Sequence, residues 1–175
     1  MGIGGYNQLS SVDLNTELHP DAICYQSARA ALYAFLSTAN VKTIYLPDYI
    51  CDSILPAIKA LKIRVQFYSV NEKLLPDICL KNIGFSDSKI LLVNYFGLLT
   101  EQINVLVAEN PEQFIVDNSQ ALFSEHFEGT TSIYSPRKFL GIPDGGFLHT
   151  SIKMNLPESH FDSSNNVGHL LLRAA

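Results

Sequence analysis

Apolar and polar positions along this chain follow two different periods, and the periods take turns. Ser27 can cap a helix, and after it Ala28, Ala31, Leu32, Phe35 and Leu36 recur at the spacing of one helical face. "TIYLP" then reads as a short buried strand. Asp52 is placed to cap a second helix with Ile54, Leu55, Ile58 and Leu61 on one side, and Pro56 falls early enough to be tolerated. "IRVQFYSV" alternates as a strand does, with Val65 and Phe67 on one face. "KILLVNYFG" and "QFIVDN" hold continuous apolar runs, the mark of strands covered on both faces. Between them, "TEQINVLVAEN" carries Ile103, Leu106 and Val107 at helical spacing and stops at Asn110-Pro111. "TSIYS" and "GGFLHTS" add two more strands. Strand alternating with helix predicts an α/β domain built on a largely parallel sheet. After "GGFLHTS" comes a polar stretch, and then "HLLLRAA", which reads as the opening of a helix.

Composition narrows the picture. The chain has 175 residues, 47% of them hydrophobic and 17% charged, with a formal net charge of -5. That is enough chain for one domain with a real core. No basic run is present to neutralise phosphates, which argues against nucleic acid as a partner. "MGIGGYNQLSSVDL" has neither the charged nor the apolar region of a secretory signal, and no apolar run reaches the roughly 18 residues of a spanning helix. The expected location is the cytoplasm, away from membranes. Cys24, Cys51 and Cys79 are an odd number at wide spacing, which fits neither a disulfide framework nor a metal site.

Candidate chemistry gathers at the strand ends, because ligands of open α/β sheets sit beyond the carboxyl ends of the strands. Asn94, Asp117 and Ser135 end three of the apolar runs. A carboxylate such as Asp117 is costly there unless something positive meets it, although alone it reads as the cap of the turn through Asn118 and Ser119. In "SPRKFLGIPDGG", Arg137 and Lys138 follow a serine and precede a glycine pair. Such a turn can bring a lysine and its own backbone against a ligand. Arg137 itself reads as a solvated surface residue. Ser27-Ala28-Arg29 offers a helix start to an anion, though alone it is an ordinary cap. The glycines of "GIGGY" follow no strand and lack the G-x-G-x-x-G spacing, so a dinucleotide loop is rejected.

A helix start at Ser27 that can accept a phosphate, then Asp117 ending a buried strand, then Ser135 and Lys138 on a glycine-flanked turn, in that chain order, resemble the fold-type-I pyridoxal-phosphate enzymes, and among them the DegT/DnrJ/StrS-type sugar aminotransferases. "YQSARAALYAFL" stands where that family has its Ser-Gly-Thr-x-Ala-Leu phosphate helix. "YLPDYICDSI" is similar to its turn beside the cofactor ring, and "LLVNYFG" to a pocket wall. "IVDNSQALF" resembles its Asp-x-x-Gln-Ala block, and "IYSPRKFLGIPDGG" the block with the Schiff-base lysine. The last two are specific as a pair. The resemblance covers most of this chain but only the front half of such an enzyme. It implies a three-layer α/β sandwich with a mixed, mostly parallel sheet: residues 1–175 would form an incomplete cofactor-binding large domain, with the carboxyl-terminal small domain absent.

The same resemblance implies pyridoxal 5'-phosphate as cofactor. Lys138 would be the catalytic residue, bonded to the cofactor aldehyde and then acting as the base. Asp117 would pair with the pyridine nitrogen, and Gln120 would lie near the ring hydroxyl. Ser27, Ser135 and the amides of Ala28 and Arg29 would hold the phosphate. Cys51 falls where many relatives place an aromatic residue on the ring, which leaves Tyr49 as a substitute. Arg29 replaces a usual threonine, and the retained lysine argues against the sugar-dehydratase branch, where a histidine stands. The implied reaction moves an amino group, with glutamate as donor, onto a nucleotide-linked keto-sugar in a homodimer. The alternatives are a domain that binds cofactor without turnover and an α/β interaction domain without cofactor.

Overall fold

Two apolar cores, one on each face of a single sheet, account for the continuous apolar runs. The computed structural model describes residues 18–78, 83, 87–140, 142 and 144–155. In chain order the elements are β1 (Ile23–Tyr25), α1 (Ala28–Thr38), β2 (Thr43–Pro47), α2 (Leu55–Ala60) and β3 (Arg64–Tyr68). Then come β4 (Ser88–Val93), α3 (Thr100–Val107), β5 (Phe114–Asn118), β6 (Thr131–Tyr134) and β7 (Gly146–His149). The strands lie in the order β1-β7-β6-β5-β4-β2-β3. All pairings from β3 to β6 are parallel, while β7 is antiparallel to both β6 and β1.

Successive strand residues point to opposite faces, so each central strand feeds both cores. Leu91 of β4 and Ile115 of β5 join Ala31, Leu32, Phe35 and Leu36 of α1 and Ile58 of α2. Their neighbours Ile90, Leu92, Phe114 and Val116 join Ile103 and Val107 of α3 on the other side. The result is the expected three-layer α/β sandwich. Helix α1 buries the five residues read from its sequence, and the Ser27 side chain accepts the Ala30 amide at 3.1 Å.

One expectation needs correction, one strand face is only partly covered, and one strand is added. Asp52 does not cap a helix: it opens a 3-10 turn, Asp52–Ile54, that leads into α2, and neither cap residue, Cys51 or Ile54, caps an amide with its side chain. Phe67 is 57% exposed, because β3 is an edge strand and carries only Tyr68 inward as a buried residue. Strand β1 is an addition, three residues long and held by β7. The glycines of "GIGGY", Cys79 and the segment holding "HLLLRAA" lie outside the described residues. Cys24 and Cys51 are unpaired and exposed. Among the described residues no helix is long and apolar enough to cross a membrane.

Candidate active site

The chain runs outward from β2 to β3, then returns to lay β4 on the other side of β2, and continues through β5 to β6. That reversal opens a crevice at the carboxyl ends of the parallel strands. A cleft of about 260 Å³ lies there, lined by Tyr49, Ile50 and Cys51 after β2, Val93 and Tyr95 at the end of β4, Asp117, Ser119 and Gln120 from β5 onward, and Lys138 after β6. Four parallel strands thus each deliver residues to one place. Of the residues singled out in the sequence, Cys51, Asp117, Gln120 and Lys138 meet here.

Asp117 is 8% exposed and lies in register between Val93 and Ile133. One carboxylate oxygen accepts the Ser119 amide at 2.8 Å, so the plain turn-capping reading is correct as far as that bond goes. The other oxygen has no hydrogen bond among the described residues, which leaves acceptor capacity facing the cleft. Lys138 ends a 3-10 turn, Pro136–Lys138, held by its amide on the Ser135 carbonyl at 3.2 Å. Its exposed side chain makes no hydrogen bond or ion pair among the described residues. The Cys51 thiol lies 3.1 Å from Ser53 Oγ. Its pKa is lowered by hydrogen bonds to the Ser53 side chain and backbone, with a smaller contribution from the Lys138 charge.

The aromatic wall was less legible. Tyr95 is 4% exposed, donates its hydroxyl to the Tyr49 carbonyl, and stacks on the Tyr49 ring with centroids 5.4 Å apart. Burial, then the charges of Asp48 and the neighbouring Tyr49 and Asp117, push its phenol up to about 12, so it stays neutral. Gln120 accepts the Phe96 amide at 3.2 Å. That bond holds Phe96 in the left-handed region (φ 57, ψ 13), a costly conformation for a bulky residue. Tyr95 sits one residue beyond the polar strand-end residue Asn94, and that position was the available signal. Asn94 itself is wholly buried in structural bonds to Asn118, Thr100 and the Leu99 amide.

The expected phosphate residues do not join this cleft. Ser27 and Arg29 line a separate cavity of about 770 Å³ together with Tyr33, Arg137, Asp144 and Asn155. Ser27 Oγ is occupied as the helix cap, Ala28 is the buried first residue of α1, and Ser135 is 4% exposed. Arg137, read as a plain surface residue, is exposed yet stands with Arg29 on that cavity. The glycine pair has its explanation here. Gly145 has φ 121, and a Cβ on Gly146 would lie 2.1 Å from the Ser27 carbonyl carbon. Only glycine lets β7 start against the head of α1.

The sequence matches no protein-family model and no curated protein. Solved structures do match. The aminotransferase TlmJ from Streptoalloteichus hindustanus aligns with a TM-score of 0.60 at 21% identity, over 75% of this chain and 40% of that one. PseC of Helicobacter pylori, an aminotransferase of pseudoaminic acid biosynthesis, aligns with a TM-score of 0.55 at 20% identity, over 75% and 40%. The L-threonine-O-3-phosphate decarboxylase of Porphyromonas gingivalis gives 0.56 at 20%, over 74% and 44%. The chain therefore spans 40 to 44% of the length of these proteins. At such identities the likeness establishes the fold, and the decarboxylase shows that one fold carries more than one reaction. In fold, the chain is an α/β domain of the kind found in solved sugar aminotransferases.

Proposed function

We propose that this chain is the cofactor-binding part of a pyridoxal-phosphate-dependent aminotransferase that moves an amino group from glutamate to a nucleotide-linked keto-sugar. The observation that carries the reading is the meeting of Lys138 and Asp117 in one cleft at the point where strand order reverses. The donor set fits the cofactor: an uncommitted lysine Nζ for an aldehyde, and a buried carboxylate with one oxygen available for a pyridine N–H. When bound, pyridoxal phosphate supplies an electron sink for the pair left by the departing α-proton.

Each side chain then has a task. Lys138 Nζ would hold the cofactor through its aldehyde and, once free, would act as the base that carries the α-proton. Asp117, fixed by the Ser119 amide, would hold a proton on the pyridine nitrogen. Gln120, whose carbonyl oxygen is already set by the Phe96 amide, would lie near the ring hydroxyl. Tyr49 offers the aromatic face, and Cys51 lies beside it in the place relatives give to an aromatic. The phosphate would fall to Ser135 and to the head of α1 at residues 27–29, where a dipole end favours an anion; Ser27 and Arg29 line the cavity that Arg137 borders, one residue from Lys138 of the cleft. The reading includes a cytoplasmic homodimer, with the carboxyl-terminal small domain of relatives beyond this stretch of chain.

A second reading, binding of cofactor without turnover, is supported by the separation of Ser27 and Arg29 from the cleft. One experiment serves both. The protein is incubated with pyridoxal phosphate, freed of excess, scanned in the visible, then reduced with borohydride and digested. A visible band and a modified peptide containing Lys138, both lost in Lys138→Ala, are expected. Transfer from glutamate to a keto-sugar then separates turnover from mere binding. A folded protein with no band would defeat both readings.

A further inference from the structure

Three histidines far apart in sequence meet beneath the loop that runs from the cleft to β6. His149 Nε2 lies 3.1 Å from His19 Nδ1, and His19 Nε2 lies 2.8 Å from the Leu122 carbonyl. The bonding fixes the protons. A carbonyl only accepts, so His19 Nε2 carries a proton and its Nδ1 is bare; His149 Nε2 must then donate to it. The His126 ring stacks on His149 at 4.6 Å, with only 4° between the planes. The buried ring of Tyr134 closes the group, 4.1 Å from His19. One proton per imidazole satisfies every bond in this chain. A further proton on His149 places a cation against two other imidazoles, and one on His19 Nδ1 sets two donors face to face.

The groups facing His149 come from each neighbouring element. Asp21 and His19 lie on the segment before β1, Glu125 and His126 on the loop, and Tyr134 on β6. Asp21 favours a charged ring, whereas burial and the two other imidazoles oppose it. The opposing effects win, and His149 is held down to about 4. Among the described residues no group of three or more His, Cys, Asp or Glu is arranged to hold a metal ion.

We infer that this imidazole group is an acid-sensitive latch that fixes the loop 119–126, and with it the Gln120 wall of the cleft. Several contacts tie the loop. Asp117 holds the Ser119 amide and Gln120 holds the Phe96 amide at the cleft end, Leu122 is held by His19, and Ser124 touches Thr100 at a long 3.4 Å. Protonation attacks the Leu122 point and the ring stack beside it. The loop then loses its middle tie, and the Gln120 wall loses the backing that this tie supplies. The consequence for cofactor rests on the function proposed above; the latch does not.

Hydrogen exchange on the cofactor-free protein tests the latch without involving that function. The loop amides of Ala121 and Ser124 are compared with Ala31 in α1 and Ile103 in α3, all hydrogen-bonded to backbone carbonyls. After correction for intrinsic rates, loop protection is expected to fall at least tenfold from pH 7 to pH 4.5, while the helical amides keep theirs. In His149→Gln, which can still donate to His19 but cannot charge, the loop should stay protected across that range. His126→Gln leaves the His19 bond and removes one opposing imidazole, so the midpoint should move to higher pH; this variant decides the matter if His149→Gln fails to fold. Loop protection that is flat with pH, that falls equally in loop and helices, or whose midpoint ignores His126→Gln, overturns the latch.

Discussion

Asn94 and Asp117 stand at the ends of adjacent strands, on the same edge of the same sheet, and are used in opposite ways. Asn94 is 0% exposed, and its side chain spends both ends on the protein: Nδ2 donates to Asn118 and Thr100, and Oδ1 accepts the Leu99 amide. Asp117 is nearly as buried, yet commits one oxygen to the Ser119 amide and turns to a cleft that also holds Lys138. A polar residue at a strand end is therefore a poor guide to function until its bonds are counted. The closed set ties the β4 and β5 ends together; the open set is left for a ligand. That division can be tested position by position.

The largest effect is expected where the closed set is broken. Asn94→Leu leaves the Leu99 amide and Asn118 Oδ1 without partners in a site that water reaches poorly. Each orphaned group costs about 1–3 kcal/mol, so the variant should lose about 3 kcal/mol in urea or thermal unfolding. A loss under about 1 kcal/mol would mean that water replaces the side chain, and the contrast with Asp117 would shrink.

The next effect is pH-dependent and comes from the imidazole group. His149 is depressed to about 4 in the folded protein by burial and by His126 and His19, against an unfolded value near 6.5. Below about pH 6.5 the unfolded chain binds a proton that the folded chain refuses, so stability falls as pH drops toward 4 and levels off below. Water reaches part of the site, which limits the loss to on the order of 1–2 kcal/mol. Unfolding midpoints across that range, with His149→Gln as the flat control, measure it; a wild-type curve as flat as the variant's would reject the depressed histidine.

These contrasts also mark how far the sequence can be read. The buried face of α1 was legible residue for residue, because a capping serine and a helical period are local signals. So were β4 and β5, whose continuous apolar runs reflect cover on both faces, and the short β2 and β6. Strand β1 was not, since three residues show no period and their pairing with β7 lies more than a hundred residues away. The Asp52 cap failed because Cys51 and Asp52 enter a tighter turn, which consumes the position a helix cap would need. In the site, Asp117, Gln120, Cys51 and Lys138 come together, the first as its strand-end position implies and the other three as the family resemblance implies. Ser27 and Arg29 do not, because the Ser27 hydroxyl is spent on the Ala30 amide and Arg29 points to another cavity. The histidine group could not be seen at all: His19 and His149 are 130 residues apart.

Asp117→Asn sharpens the comparison at smaller cost. The amide oxygen can still accept from Ser119, so the turn survives and stability should change by less than about 1 kcal/mol. What disappears is the negative charge. Titration with pyridoxal phosphate should show clearly weaker binding, whereas unchanged affinity would remove Asp117 from the proposed pyridine contact.

The smallest effect on stability is expected at the residue most important to the proposal. Lys138 is exposed, ends a short turn through its backbone, and makes no side-chain bond among the described residues. Lys138→Ala should therefore lie within about 0.5 kcal/mol of wild type in unfolding, the ordinary scatter of a surface site. It should even relieve Cys51, whose thiolate loses a nearby cation, so that thiol titrates slightly higher. Yet the same variant should form no covalent adduct with pyridoxal phosphate. A residue that contributes nothing to the fold and everything to the adduct is what the open set predicts. A marked loss of stability would instead place Lys138 with Asn94, as a structural group at a strand end.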